Sequence, residues 1–348
     1  MRLNATLAVA ALGTAVLATS ADAASRRWQC SIAPDSTYTQ TTAIQLPLAG
    51  TWIGNYDAAT NPTGTTTIPG YFGGSGNNAI PYSMVVKPTV GIQNAHPSGD
   101  MEVAFDPVTG AFAISGFAID VLDGQTGGVT TNIALTYSTF RTTNPSSLFP
   151  GVTNVNVPLS NGSLTTATAV QTGPAFGVAT ANADATWSFA ASVPVSILVE
   201  GTAFGAPFGG TPTPGVMALA GTLAFVDGAL VVTTQVSQQD TQPVPALPAL
   251  TSQPFDLPTV LPAGGVAHLL ISGTFAEGTE TTTVTANLRA PGVLIPVLGD
   301  LNGDGIVNGL DLGLMLSAWG SNGGPADLNN DGIVNGLDLG IQLANWTS

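Results

Sequence analysis

A twelve-residue motif that occurs twice near the C-terminus constrains the fold of this chain more than any other feature. The segment DLNGDGIVNGLD at residues 300–311 returns 27 residues later as DLNNDGIVNGLD at residues 327–338. The similarity continues through the eight residues after each copy, so that 15 of the 20 aligned positions are identical. A repeat this regular indicates a duplicated structural unit.

Each copy has the pattern of a calcium-binding loop. Calcium prefers about six to eight oxygen ligands, and a twelve-residue loop supplies them from positions 1, 3, 5, 7, 9 and 12, with glycine at position 6. In the first copy the predicted ligands are Asp300, Asn302, Asp304, the carbonyl of Ile306, Asn308 and Asp311. In the second copy they are Asp327, Asn329, Asp331, the carbonyl of Ile333, Asn335 and Asp338. We therefore predict two Ca²⁺ sites with three carboxylates each.

The charge of this region supports metal binding over a plain surface turn rich in Asp, Asn and Gly. Residues 299–348 contain no Lys or Arg that could neutralise the carboxylates. A unit of this size also buries little apolar surface, so bound calcium is expected to contribute directly to its folding free energy.

A short amphipathic helix is predicted after each loop. Apolar residues recur about one helical turn apart on one side of each segment. The sequence therefore predicts a small shared core between the two repeats, formed by Leu312, Leu316, Trp319, Leu339, Leu343 and Trp346.

The repeats differ from EF-hands in two ways and resemble another family. Position 12 is Asp and not the longer Glu, and no helix precedes either loop. Two loop–helix repeats with this pattern resemble a type I dockerin, and the resemblance covers residues 299–348. It implies a module that binds calcium, folds around it, and docks onto cohesin modules that assemble extracellular enzymes for polysaccharide breakdown.

The resemblance also indicates where a partner would bind. In dockerins, recognition involves loop positions 10 and 11, which here are Gly309 and Leu310 in the first copy and Gly336 and Leu337 in the second. The polar and basic residues usual in the family are missing from these and the later helix positions. The sequence therefore predicts an apolar docking face for a cohesin-like or cell-surface protein, usable in two orientations because the repeats are nearly equivalent.

The N-terminus predicts export. Arg2, the apolar residues 7–17 and the small residues 21–23 form the three parts of a signal peptide, expected to span residues 1–23. A secreted or surface-attached protein follows, with no transmembrane segment after cleavage. The six Lys and Arg against 21 Asp and Glu offer no basic surface for nucleic acid. One cysteine, Cys30, cannot form an internal disulfide.

Residues 24–291 have the pattern of an all-β domain, joined to the module by a connector at residues 292–298. Short apolar or alternating runs are separated by Gly and Pro turns, and long helical periodicity is missing. We predict a mainly β protein: an antiparallel β-sandwich or jelly-roll-like N-terminal domain, with a barrel as the alternative, plus a small α-helical tandem F-hand domain that is dockerin-like and related to EF-hands.

Particular segments support the β prediction. Residues 101–114 predict a hairpin with its turn at 106–110, and residues 219–232 predict another with Asp227 and Gly228 at its turn. Further strands are predicted at residues 132–140, 185–191, 195–199, 268–275 and 281–288. Residues 243–262 contain six prolines and are either a linker between two β subdomains or a long excursion between strands.

The function of this β domain is left between two hypotheses. It contains only four Glu and ten Asp, many of them in turns, and we name no catalytic residue. The first hypothesis is a non-catalytic structural or carbohydrate-binding domain. The second is a polysaccharide-degrading enzyme, a glycoside hydrolase, or an accessory protein in polysaccharide catabolism. Aromatic residues in its N-terminal part, among them Trp28, Trp52, Tyr71 and Phe72, are expected mainly in the core.

Overall fold

The computed structural model describes residues 26–72, 76–203 and 205–347, so the predicted signal peptide lies outside the described residues. The first nine strands are β1 Arg26–Ser31, β2 Thr37–Ile53, β3 Ile68–Pro69, β4 Ile80–Ala95, β5 Ser98–Phe105, β6 Ala111–Asp120, β7 Gly127–Tyr137, β8 Phe140–Thr143 and β9 Ser146–Phe149. The others are β10 Val152–Gln171, β11 Ala175–Ala181, β12 Trp187–Ala203, β13 Ala206–Gly209, β14 Thr213–Val226, β15 Ala229–Val244, β16 Leu250–Val260, β17 Ala263–Phe275 and β18 Gly278–Leu294. Two helices follow, α1 Gly309–Ser317 and α2 Gly336–Ala344.

The described strands confirm a mainly antiparallel β protein with two short C-terminal helices. The large sheet has the order β11-β12-β14-β15-β18-β1-β5-β6-β10-β7-β4-β2-β17-β16, with β13 beside β12, and β3, β8 and β9 form a small second sheet. Additional pairings of β11 with β6, β12 with β10 and β18 with β2 fold the large sheet back on itself. Long strands change partners along their length, which lets one sheet enclose a core.

The main core lies on the inner face of this folded sheet. Along β18 the side chains of Thr282, Val284 and Ala286 are buried, and Leu288 packs against the same core. The alternation predicted for this segment is therefore confirmed. A strand places successive side chains on opposite faces, so each buried residue alternates with one in contact with solvent.

A second core is built around the indole ring of Trp52. This ring stacks on Tyr82 with centroids 4.9 Å apart and contacts Tyr137 and Phe140 at 5.3 and 5.5 Å. Phe140 in turn stacks on Phe149 of the small sheet at 4.5 Å. Aromatic pairs of this kind add stability beyond their buried area, by about 0.5–1.5 kcal/mol each.

Both predicted hairpins are present. In the first, β5 and β6 are joined by a turn in which the N–H of Gly110 donates to the carbonyl of Asp106 at 2.8 Å. In the second, β14 and β15 are joined by Asp227 and Gly228, whose φ angles are +51° and +83°. Positive φ at both central residues is the signature of the tight turn that these residue types favour.

Other strands differ from the prediction in length and position. The predicted strands at residues 185–191 and 195–199 are parts of the single strand β12, since Pro194 between them pairs with Val216 on β14. The proline-rich segment is an excursion that ends in a strand, β16, at the edge of the large sheet. Pro254 and Pro258 fit there because an edge strand has a row of backbone positions that need no donor.

The C-terminal module follows the β domain almost directly. Strand β18 continues to Leu294, three residues into the predicted connector, because Gly292, Val293 and Leu294 pair with β1. The N–H of Ile295 also donates to the carbonyl of Arg27 at 2.8 Å.

The prediction of the module's core is wrong for four of its six residues, because the helices turn a different face toward the interior. The buried residues are Met315, Ala326 and Val334, with Leu339 packed against them, whereas about half of the surface of each of four predicted core residues is exposed: Leu316, Trp319, Leu343 and Trp346. The buried face of α1 contains Asp311, which closes the loop, and residue 315 lies on that face because it is four positions further along.

Within the part of the chain that the structure describes, no helix is long and apolar enough to span a membrane.

Candidate metal centre

The first loop is wound around the carboxylate of Asp300. Its Oδ1 accepts the backbone N–H groups of Gly303 and Asp304 at 2.8 and 3.2 Å, and its Oδ2 accepts that of Gly305 at 2.7 Å. The φ angles of Gly303 and Gly305 are +74° and +87°. Glycine adopts these angles at little steric cost, which explains its place in the loop.

Asp311 joins the two ends of the same loop. Its Oδ1 accepts the N–H groups of Leu301 and Asn302 at 2.9 and 3.0 Å, and its Oδ2 accepts that of Asn308 at 2.9 Å. The side chain is fully buried and stands in the first turn of α1, where the helix N-terminus favours negative charge. The short side chain of Asp311 therefore both closes the loop and caps α1.

Three carboxylates converge in this loop. One oxygen from each of Asp300, Asp304 and Asp311 lies within 4.8 Å of the others. Their N–H donors occupy only part of the lone pairs of these oxygens, so the group can still bind a cation. The donor set is all oxygen and carries three negative charges, which fits a hard divalent cation such as Ca²⁺.

The second loop repeats the backbone arrangement. Asp327 accepts the N–H groups of Asp331 and Gly332 at 3.1 and 2.9 Å. Asp338 accepts those of Leu328 and Asn329 at 2.8 and 3.1 Å. A third donor, the N–H of Asn335 at 2.8 Å, is the largest of the influences that lower the pKa of Asp338, and burial of the carboxyl opposes them.

The two loops differ in how closely their carboxylates approach one another. Among the described residues, only the first loop holds three carboxylates within 4.8 Å. Asp331 is exposed, whereas its counterpart Asp304 is half-buried. Position 4 also differs: Asn330 adopts a φ of +58° where the first loop has Gly303. Asparagine tolerates this conformation, so the second loop keeps its path without the glycine.

The predicted asparagine ligands have clear structural partners. The Oδ1 atoms of Asn308 and Asn335 accept the N–H groups of Leu310 and Leu337 at 2.7 and 2.8 Å, so both residues cap their helices. Asn302 and Asn329 reach across their loops and donate to the Oδ2 atoms of the residue-5 carboxylates at 2.9 and 2.8 Å. The carbonyl of Ile333 accepts the side-chain amide of Asn335 at 3.0 Å, and Ile306 is the equivalent residue of the first loop.

The predicted partner-binding residues are all exposed at the start of the helices. Gly309 and Gly336 are open to solvent. Leu310 and Leu337 have 68% and 65% of their surface exposed, nearly the same fraction in the two copies. Leu316 and Leu343, which were predicted to lie in the core, are also exposed on the same helices.

A buried polar residue of the module escaped the sequence analysis. Gln342 is fully buried, and its Nε2 donates to the carbonyl of Gly299 at 3.1 Å, while its Oε1 has no hydrogen-bond partner among the described residues. Its counterpart in the first repeat is Met315, which packs against Ala326, the counterpart of Gly299. The internal alignment could have revealed this pair, because two of the five differences between the copies involve polarity on the helix face.

The β domain presents no comparable concentration of reactive groups among its described residues. Glu280 has a raised pKa, caused by burial and by the nearby carboxylate of Asp240. His268 pairs with Asp256 at 2.7 Å on an exposed surface. A groove of about 410 Å³ is lined without Asp, Glu or His by Pro47, Leu48, Ala49, Ser83, Met84, Val85, Ala134, Thr136, Thr274, Phe275 and Ala276.

The expectation that the N-terminal aromatic residues lie in the core is confirmed for Trp28 and Trp52 and is wrong for Tyr71 and Phe72. Trp28 and Trp52 are each 1% exposed, so they belong to the core. Tyr71 and Phe72 are exposed on a loop, with ring centroids 6.4 Å apart.

Comparisons with known proteins concern mainly the module. Residues 298–341 match the dockerin type I domain, and no family matches the N-terminal body. No curated protein matches the chain in sequence.

Two solved structures were compared with the whole chain. The match to the secretin domain of InvG from the Salmonella SPI-1 injectisome covers 84% of this chain and 69% of the InvG chain, at 11% identity and a TM-score of 0.19. The Salmonella SPI-1 secretin InvG in its open gate state covers 80% and 63%, at the same identity and TM-score. A TM-score this low carries no argument about fold or function.

The sequence match and the loop geometry agree on the same residues. The match supports calcium binding and protein–protein attachment outside the cell through a cohesin partner. The matched residues contain both carboxylate-centred loops, helix α1 and the first part of helix α2. The C-terminal segment of this chain is therefore a dockerin type I-like, tandem calcium-loop module.

Proposed function

We propose that this chain is an exported protein whose C-terminal module binds two calcium ions and attaches a non-catalytic β domain to an extracellular cohesin-like or cell-surface partner. The observation that carries the proposal is the repeated loop, in which the same carboxylates accept the same backbone N–H groups in both copies. Attachment, not catalysis, is the activity that this geometry serves.

Calcium would be held by the six predicted ligands of each loop. When bound, the ion neutralises carboxylates that otherwise repel one another at close range, because residues 299–348 carry no compensating Lys or Arg. The protein's own part is to fix the loop path through Asp300 and Asp311, and through Asp327 and Asp338. These side chains bond to the loop backbone and so orient the rest of the ligand set.

The attachment surface is apolar and present in two copies. Leu310 and Leu337 stand beside glycines at the helix N-termini, with no described side chain covering them. Contiguous exposed apolar residues of this kind mark interaction surfaces. We infer a partner with a complementary apolar patch, which could bind either repeat because both leucines are equally exposed.

The β domain is proposed to be structural or to bind carbohydrate. Its outward face offers hydroxyl groups in register, for example Thr241 and Thr281 on the adjacent strands β15 and β18, whose hydroxyl oxygens lie 3.1 Å apart. Such a surface suits hydrogen bonding to a neutral polysaccharide. The glycoside hydrolase alternative would need two carboxylates on either side of a sugar linkage.

Calcium binding is tested by titrating the full mature chain in a calorimeter. The wild-type protein should bind two ions, and Asp304→Asn and Asp331→Asn should each bind one, since each variant loses one of three carboxylates in a single loop. A stoichiometry of one in the wild type would contradict the two-site proposal. A stoichiometry of two in both variants would contradict the assignment of Asp304 and Asp331 as ligands.

The β domain is tested by a polysaccharide screen that scores both retention and reducing ends. Retention without product supports binding, and product supports the hydrolase alternative. A chain that neither binds nor cleaves any polysaccharide supports the structural role.

A further inference from the structure

The two calcium loops have almost the same sequence but different surroundings. Gly305 of the first loop is buried and Gly332 of the second is exposed. The neighbouring positions follow the same trend, because Asp304 and Ile306 are half-buried while their counterparts in the second loop are exposed. Something outside the loop therefore covers positions 5 to 7 of the first copy only.

The covering group is the first strand of the β domain. A Cβ atom on Gly305 would lie 2.6 Å from Cγ and 3.1 Å from Cδ of Arg26, whereas a Cβ on Gly332 would meet no atom within 4 Å. The contact is made by the aliphatic stem of Arg26, which forms no ion pair with any described carboxylate. Long cationic side chains commonly pack in this way.

Both sides of this contact are firmly held. Arg26 opens β1, where its backbone pairs with Phe105 of β5, a fully buried residue. Gly305 donates its N–H to Asp300 of the carboxylate group and directly follows Asp304. The stem of Arg26 therefore rests on the turn that presents two of the three converging carboxylates.

We propose that the β domain is part of the support of the first calcium site, so that calcium in the first loop, and not in the second, stabilises the packing of β1. This inference rests on the proposed two-site function. Residues that hold the metal ligands in place without binding the metal themselves commonly raise metal affinity. The coupling between binding and stability is reciprocal. If the packing of β1 raises the calcium affinity of the first site, calcium bound there must stabilise β1 by the same free energy.

The affinity test uses the full mature chain in which one loop is disabled. Asp331→Asn leaves the first loop intact, and Asp304→Asn leaves the second. In the Asp331→Asn chain, Arg26→Ala should weaken calcium binding about fivefold, which corresponds to ~1 kcal/mol. Arg26→Met keeps the aliphatic stem and should bind as before. In the Asp304→Asn chain neither Arg26 variant should change the affinity.

The only cysteine of the chain supplies a second readout. Cys30 lies on β1 and is fully buried, and burial raises its pKa to about 12, so a thiol reagent reaches it only when β1 opens. Calcium should slow the labelling of Cys30 in the Asp331→Asn chain and leave it unchanged in the Asp304→Asn chain.

A pair of glycine variants provides a matched control. Gly305 and Gly332 have φ angles of +87° and +96°, so alanine carries a similar local strain at both. Only the alanine methyl group at position 305 would also clash with the side chain of Arg26. Adding Arg26→Ala to Gly305→Ala should therefore recover part of the lost calcium affinity.

The outcomes separate the two proposals. Equal effects of Arg26→Ala on both loops, or equal protection of Cys30 by either loop, would overturn the coupling alone. Failure of the Asp331→Asn chain to bind calcium would overturn both the coupling and the two-site function.

Discussion

At the scale of single residues, the module shows how one substitution changes the chemistry of a duplicated core. Met315 and Gln342 occupy equivalent positions on α1 and α2, and both are fully buried. Met315 packs against apolar neighbours, while Gln342 donates one hydrogen bond to Gly299 and keeps an unpartnered Oε1. A buried polar atom without a partner costs about 1–3 kcal/mol.

The two positions should therefore respond unequally to exchange. Met315→Gln places an amide among Ala326, Val334 and Leu339, and should destabilise α1 by ~2 kcal/mol. Gln342→Met removes the unpartnered oxygen together with one hydrogen bond, so its effect should stay within ~1 kcal/mol. Hydrogen exchange of peptides covering each helix, with calcium in excess, measures both.

Peptides of the β domain serve as the internal control for this comparison. A larger loss of protection in Gln342→Met than in Met315→Gln would show that the bond to Gly299 matters more than the orphaned oxygen.

At the scale of elements, each short helix is held by its loop, and this determines which face stays free. The carboxylates of Asp311 and Asp338 point inward to bind their own loops, which turns residues 315 and 342 toward the interior. The leucines at positions 310 and 337 then point outward. Each helix therefore binds its own loop with one face and exposes its predicted docking leucine on another.

The duplicated surface predicts redundancy in attachment. Leu310→Ser and Leu337→Ser should each leave binding to a cohesin module or to cell walls close to that of the wild type, since the other repeat can still engage. The double variant should lose most binding. Retention of the chain on an immobilised partner measures this, and calcium stoichiometry confirms that the loops remain intact.

A strong loss in only one of the single variants would contradict equivalent use of the repeats. It would indicate instead that one helix alone contacts the partner.

The elements also show what the sequence can predict. The place of the two loops was predictable, because residue type and spacing are local properties, while the assignment of individual metal ligands stays a prediction. The helix faces were not, because Leu316 and Trp319 satisfy helical spacing as well as Met315 does, and only the bonds of Asp311 decide between the faces. The pairing of β1 with β5 and β18 depends on residues distant in sequence, and no local pattern reports it.

At the scale of the whole molecule, the β domain has its own apolar cores, whereas the module places six carboxylates in two short loops. The main core alone joins residues from Trp28 to Ala290. The module's apolar cluster has only three buried members among the described residues, Met315, Ala326 and Val334. Their stabilities should therefore respond differently to calcium.

Chelation of calcium should unfold the module and spare the β domain apart from β1, which packs against the first loop. We expect peptides covering α1 and α2 to lose hydrogen-exchange protection in chelator, while those of β12 and β18 keep theirs, because carboxylates left without an ion repel one another. Restored calcium should reverse the change. Equal loss of protection in both parts would contradict independent cores.

If the chain is exported as proposed, the position of β1 in the sheet determines when it can finish folding. Its two partners are β5 and β18, and β18 ends at Leu294, so the first strand to emerge from a translocation channel must wait for nearly the last. Contacts so distant in sequence form late and slowly. The first calcium loop follows within a few residues, which means that closure of the sheet and arrival of the calcium ligands are nearly simultaneous. An environment rich in calcium on the far side of the membrane would then act at the moment when the sheet closes.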